Sequence, residues 1–165
     1  KEIQKMTTVK KGVLTQGTKV YIKHNDILTE MNCIKAIQLG DDSPTQFDTT
    51  CIDDNYSKPI RYGLTTHGEG SLTINTDPNN ASHIKLLQLA SDRASVEVIV
   101  AWSDGTAKPT IATKVLTLPT GRTFTTFEAN LIEKSPTFEA DALVGHTIGM
   151  KRQTKAVTQY KVPAP

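Results

Sequence analysis

The chain has 165 residues, 19 basic and 17 acidic side chains, a formal charge of +2, and only 5% aromatic residues. That length suits one domain, and so small a net charge excludes a globally basic binder of nucleic acid or membrane. Abundant threonine, β-branched and polar, favours an all-β fold, and the modest apolar content predicts a thin core that leans on neighbouring chains.

Residues 1–14 lack periodicity and read as an amino-terminal arm ahead of a domain spanning 15–152. Thr18–Lys23 is a short strand. Leu28–Leu39 is a longer one, with Met31, Cys33, Lys35, Ile37 and Leu39 on one face. Gly40–Pro44, "GDDSP", breaks it. Gln46–Ile52 is strand-like but polar. Residues 53–68 are charged and non-periodic, a loop long enough to suggest a function. Glu69–Thr76 alternates, with Leu72 and Ile74 on one side and Glu69, Ser71, Thr73 and Asn75 on the other. A single helix is predicted next, with Asp77 as N-cap and Pro78 in its first position. Ala81, Ile84, Leu87, Ala90 and Ala94 form its stripe, widened by Leu86 and Leu89. Ser95–Trp102 is the most strand-like stretch. Ser103–Thr106, "SDGT", predicts a hairpin turn, with Ile111–Leu118 pairing back. Thr123–Ile132 and Ala142–Lys151 complete the strands. Residues 153–165 read as a carboxy-terminal arm.

Charge is uneven along the chain. Residues 1–23 hold six lysines and one acid, and residues 151–165 hold four basic side chains and no acid. The body, 24–150, carries a net charge of −7. Solvated tails account for such runs, and opposite signs on body and ends also suit attraction between copies. Cys33 and Cys51 read as two small buried thiols. No apolar run reaches membrane-spanning length, and no signal-peptide pattern is visible. The first residue is Lys1, so upstream processing is open, and synthesis in a cytoplasm is the simplest expectation.

The candidates for chemistry are few. His24, His67, His83 and His146 are scattered, and no metal-ligand spacing, nucleophile elbow or phosphate-cradling loop occurs. No cofactor or metal is expected. His67 and Glu69, flanking Gly68, have the residue types of a base and its orienter. The plainer reading makes "THGEG" a strand entrance, so no enzyme is expected. A β-sandwich that binds carbohydrate or protein is a rival. Trp102, Phe124 and Phe127 suit a core better than a sugar platform. In the long loop, Tyr56 and Tyr62, together with Asp53, Asp54, Lys58 and Arg61, have the composition of a protein interface.

The order of segments across Thr49–Thr106 resembles the major tail tube proteins of bacteriophages with long non-contractile tails. An aspartate-rich loop with a tyrosine leads to a glycine-containing strand entrance. A strand, an Asp-Pro cap, one helix, a Val/Ile-rich strand and an Asp-Gly turn follow. Gly68, Leu72, Ile74, Asp77, Leu87, Val98, Ile99 and Asp104-Gly105 sit where that pattern wants them. Phe124–Lys151 is similar to the family's last two strands. The resemblance implies a mainly β, antiparallel sandwich or barrel-like fold with one flanking helix. It implies six copies in a ring, and rings stacked into a hollow virion tail tube. DNA would transit without sequence recognition, and tape-measure and tail terminator or tip proteins would be partners. A type VI secretion-tube subunit is the nearest alternative. On this reading Asp53, Asp54, Tyr56, Lys58, Arg61 and Tyr62 lie between subunits. Glu69, Glu97 and Glu128 are the candidates to face the lumen, at least some of them pointing into a channel where acid keeps phosphate from binding.

Overall fold

The computed structural model describes residues 12–53 and 56–163. It contains twelve described strands and one helix. β1 (Lys19–His24) turns through Asn25 and Asp26, both at positive φ, into β2 (Ile27–Met31). A two-residue turn with both central residues left-handed matches the twist of the strands it joins. β3 (Ile34–Gln38) follows after only Asn32 and Cys33. The single strand expected over Leu28–Leu39 is therefore two, and the break is at Cys33, whose φ is +54°.

β4 (Ser43–Asp48) and β5 (Ile60–Thr66) pair only with each other. β5 lies inside the segment expected to be loop. β6 is Glu69–Asn75, α1 is Ala81–Ser91 and β7 is Ser95–Ala101. β8 (Thr110–Ala112) and β9 (Val115–Thr117) form a separate hairpin. The expected pairing of Ile111–Leu118 with the Val/Ile-rich strand does not occur. β7 instead has β1 and β10 (Phe124–Ile132) as neighbours. Asp104 of the "SDGT" segment accepts the Thr123 N–H at 3.0 Å and bonds the Thr123 hydroxyl, holding that turn to the start of β10. β11 (Gly145–Arg152) and β12 (Val157–Gln159) end the chain. β12 pairs with β10, so part of the expected carboxy-terminal arm is built into the sheet.

The main sheet runs β2-β1-β7-β10-β11-β6-β3, and its described pairs are antiparallel. Its two edges, β2 and β3, are consecutive in the chain. Laid flat, seven strands would hold those edges roughly 29 Å apart at the usual interstrand spacing. The two residues between them span only about 10 Å. The sheet must curl until one end of each edge strand meets at that turn, which makes it sandwich- or barrel-like. The alternating strands bury one face inside the curl. Val96, Val98 and Val100 of β7 pack with Phe127, Ala129 and Leu131 of β10, Ile148 and Met150 of β11, and Leu72 and Ile74 of β6. Each fully buried side chain of this kind contributes about 1.5–3 kcal/mol.

The helix closes the corner between the edges. It starts three residues later than expected. Asn80 is the N-cap, its side chain accepting the Ser82 N–H, while Asp77 accepts the Asn79 N–H in a turn ahead of the helix. The buried face is Ser82, His83, Leu86, Leu89 and Ala90, so Ala81 and Ile84 of the predicted stripe lie exposed. His83 is fully buried and satisfied at both ring nitrogens. Nδ1 accepts the Asp77 N–H, and Nε2 lies 2.8 Å from the Asn32 carbonyl. The Asn32 N–H in turn donates to the Ser82 hydroxyl. The helix thus bonds both backbone groups of Asn32, at the β2–β3 break, and Lys85 bonds Thr29 of β2, which fixes the corner where the sheet turns. Cys33 and Cys51 are both exposed, against the expectation of buried thiols.

Candidate assembly site

The β4–β5 hairpin is the part of the molecule least held by the rest. Ser43 pairs with Thr66, Gln46 with Tyr62, Phe47 with Arg61 and Asp48 with Ile60. Residues opposite each other share a face, as do alternate residues along a strand. One face therefore carries Ile60, Tyr62 and Leu64 in a row, beside Gln46 and Asp48. On the other, the Phe47 ring lies over Gly63, where a Cβ would collide with it, next to Arg61. Ile60, Tyr62 and Leu64 are 51%, 68% and 89% exposed. A two-stranded hairpin alone is marginally stable in water at best, and an apolar row left open on one is a candidate contact surface.

The hairpin's far end is braced locally. Thr49 donates to the Pro59 carbonyl through its N–H at 3.0 Å and its hydroxyl at 3.0 Å. Asp48 accepts from the Thr50 hydroxyl and N–H, and these bonds hold its carboxyl below the usual carboxylate range. Of the interface candidates, Asp53, Tyr56 and Lys58 lie exposed at this end, and Arg61 and Tyr62 lie on β5 on opposite faces. Asp54 lies outside the described residues. Sequence reading missed Phe47, Ile60 and Leu64. The signal was there, because Ile60, Tyr62 and Leu64 alternate, but Gly63 and the charged neighbours hid it.

"THGEG" does not assemble a catalytic pair. His67 faces Asp42, with Nδ1 3.4 Å from Oδ2. Glu69 is joined instead to Lys151 at 2.8 Å. That bond and the lysine's charge hold the Glu69 carboxyl below its usual range. Among the described residues no cluster of three or more metal-ligating side chains occurs. Nor do the aromatics form a platform. Phe124 and Phe127 are buried, while Trp102 donates to the Thr125 hydroxyl at 3.0 Å and meets Tyr160 edge to face.

Glu69, Glu97 and Glu128 all lie on the face of the sheet turned away from the main core. In β6, β7 and β10 the alternate residues Leu72 and Ile74, Val96 and Val98, and Phe127 and Ala129 point the other way. Glu97 and Glu128 stand directly opposite in the β7–β10 register, and Lys23 bonds Glu97 at 3.2 Å. Like charges directly opposite weaken a sheet pair, and the lysine offsets this on one side.

The phage tail tube family of the lambda-like type matches residues 11–162. The chain belongs to that family. Structural protein 3 of Pseudomonas phage PAJU2 is 33% identical over 146 residues, covering 84% of this chain and 88% of that protein. Two solved structures share the fold. The tail tube of SPP1 superposes with a TM-score of 0.63 at 6% identity, over 92% of this chain and 81% of the other. The sheath/tube terminator structure of the extracellular contractile injection system PVC does so at 0.63 and 11% identity, over 92% and 99%. The chain is thus a structural tail tube protein of a phage virion, with the mainly β fold and single short helix that the order of its segments implied. Its family is not a class of enzymes.

Proposed function

We propose that six copies of this tail tube protein close into a ring and that rings stack into a hollow tube through which DNA passes during ejection. The observation that carries this is the open apolar row Ile60-Tyr62-Leu64 on a hairpin whose two strands, among the described residues, pair only with each other. A second copy supplies the missing cover. Asp53, Asp54, Tyr56, Lys58, Arg61 and Tyr62 flank or extend that contact. Assembly takes place in the host cytoplasm, and tape-measure, terminator and tip proteins complete the tail. Negative-stain microscopy of the purified protein at high concentration tests the reading. Hollow tubes with six-fold end views are the expected result, and a monodisperse monomer at every concentration would sink it.

Glu69, Glu97 and Glu128 line the channel in this proposal. Their shared sheet face supports it. Acid there repels phosphate over roughly 8–10 Å at physiological salt. Glu128→Lys is expected to leave tube formation intact and slow DNA ejection, since each lysine offers a phosphate contact. A tube map that put all three glutamates on the outer wall would refute the assignment.

The basic amino-terminal arm, 1–14, docks on acidic surface of the next ring in this proposal. Residues 1–11 lie outside the described structure. Deleting 1–14 is expected to weaken stacking, and the deficit should shrink as salt rises and screens the lost attraction. Pelleting across a salt series measures it; a loss that did not vary with salt would exclude an electrostatic role.

A further inference from the structure

The hairpin's root holds a group of side chains that the tube reading does not use. β3 and β6 lie side by side in the sheet, and the chain runs from them into β4 and β5 through two short links, residues 39–42 and 67–68. The links touch backbone to backbone. Gly40, at φ +73°, lies against the main chain of Glu69, and Gly68 against that of Asp41; a Cβ at either would collide. Peptide backbone at so close a crossing has few side-chain contacts to fix its angle. Beyond it, β4 and β5 share their ladder only with each other.

One arginine spans the crossing. Arg152, at the end of β11, has its side chain 3% exposed. Its Nη2 donates to the Gly40 carbonyl at 2.9 Å and to Asp42 Oδ1. That same oxygen accepts the Gly68 N–H at 3.3 Å. Asp42 therefore joins both links, and Arg152 joins that pair to the rigid sheet. His67 stands 3.4 Å from the other carboxylate oxygen, an ion-pair separation when the ring is protonated. The neighbouring charges, Glu69 and Lys151, are engaged with each other.

We propose that Asp42 and Arg152, reinforced by His67, form a positioning latch that sets the direction in which the β4–β5 hairpin leaves the sheet before copies meet. The proposal rests on the hairpin being a contact between copies, and it says how that contact is made ready. A charge-assisted bond in a half-buried site is worth more than one in water. A preset hairpin loses less freedom on docking than a swinging one. Desolvation favours the neutral form of Asp42. The Gly68 N–H, His67 and Arg152 outweigh it and hold the carboxyl below its usual range. A depressed carboxyl stabilises the folded arrangement above its ordinary value. That contribution is lost as pH falls through the depressed one. The latch is thus closed at neutral pH and opens in acid.

The two exposed native thiols report on it directly. Cys33 lies at the β2–β3 corner of the body and Cys51 toward the hairpin's far end. Spin labels on both give the distance distribution between hairpin and body in dilute, monomeric protein. Wild type is expected to show one narrow distance at neutral pH. Asp42→Asn and Arg152→Gln are expected to broaden it, while circular dichroism shows that Asp42→Asn keeps the folded body, at a lower melting temperature because the buried Arg152 loses its counter-charge. Acid should broaden wild type toward the Asp42→Asn distribution and leave that variant as it was. In tube assays Asp42→Asn should require about tenfold more protein. A wild-type distribution already as broad as the variant's, or an Asp42→Asn distribution as narrow as wild type, overturns the latch. Arg152 is buried, so if Arg152→Gln does not fold, Asp42→Asn and the acid series decide. The distances are read on monomers: wild type that formed no tubes would remove the hairpin contact and still leave the latch tested.

Discussion

The double substitution Tyr62→Asp, Leu64→Asp is expected to abolish tubes and leave the monomer folded. Both side chains are mostly exposed, at 68% and 89%, and neither belongs to a buried cluster. Surface changes of this kind usually stay within about 0.5 kcal/mol of neutral. The interface is affected differently. Docking would take two carboxylates out of water against an apolar surface, and a polar group buried without a partner costs roughly 1–3 kcal/mol even on the protein-derived scale, more if charged. Every copy in a ring carries the same lesion, so the penalty repeats at each contact. Sedimentation should show monomer at concentrations where wild type pellets, and circular dichroism should match wild type. Tyr56→Asp, a change at the exposed end of the hairpin, should have a smaller effect, because the apolar row on β5 is left whole. Normal tubes from the double variant would move the contact away from this face of the hairpin.

What the sequence made legible follows from where its signals are local. Alternation in Glu69–Thr76 and in Ser95–Trp102 names β6 and β7 and orients them, because each has one face against the core. β5 has the same period in Ile60, Tyr62 and Leu64, but among the described residues that row stays mostly exposed. Periodicity reports that a face is apolar and cannot report what will cover it. The break at Cys33 was hidden for another reason. A left-handed residue other than glycine leaves no compositional mark, so "LTEMNCIKAIQL" reads as one strand although it turns the corner between two sheet edges. The helix stripe differs from the apolar pattern because Ser82 and His83, both polar, lie on the buried face. The two ring nitrogens of His83 are satisfied by Asp77 and by Asn32, which lies 51 residues away in the chain. The long-range partners of buried arginines are just as invisible. Arg152 reaches Gly40, and Arg122 reaches Gly17, over more than a hundred residues each. In sequence both resemble solvated charge.

Arg122→Ala is expected to be among the most destabilising single changes in the domain. The side chain is 3% exposed, and its described hydrogen bonds all go to carbonyl oxygens. Nε donates to Trp102, Nη1 to Ala107 at 3.3 Å, and Nη2 to Gly17 and to Ala101, each at 3.1 Å. These carbonyls belong to the segment before β1, the end of β7, the link that leads to β8, and the turn between. Arg122 itself lies two residues before the start of β10. One guanidinium thus fastens the segment before β1, the end of β7 and the link toward β8 to the approach to β10. Alanine leaves the buried Ala101 carbonyl and three part-buried carbonyls short of their donor. With some relaxation the loss comes to about 3–5 kcal/mol, from roughly 1–3 kcal/mol for each buried group left unsatisfied. That is a large share of the 5–15 kcal/mol typical of a whole domain. Arg122→Lys should recover less than half, because a lysine ammonium is a compact charge and lacks the planar fork that reaches several directions at once. Urea unfolding followed by the fluorescence of Trp102, the only tryptophan, measures both variants. Trp102 suits the purpose because its own carbonyl accepts from Arg122 and its indole from the opposite side bonds Thr125. A loss below about 1 kcal/mol for Arg122→Ala would mean that solvent satisfies those carbonyls and that the guanidinium holds nothing together.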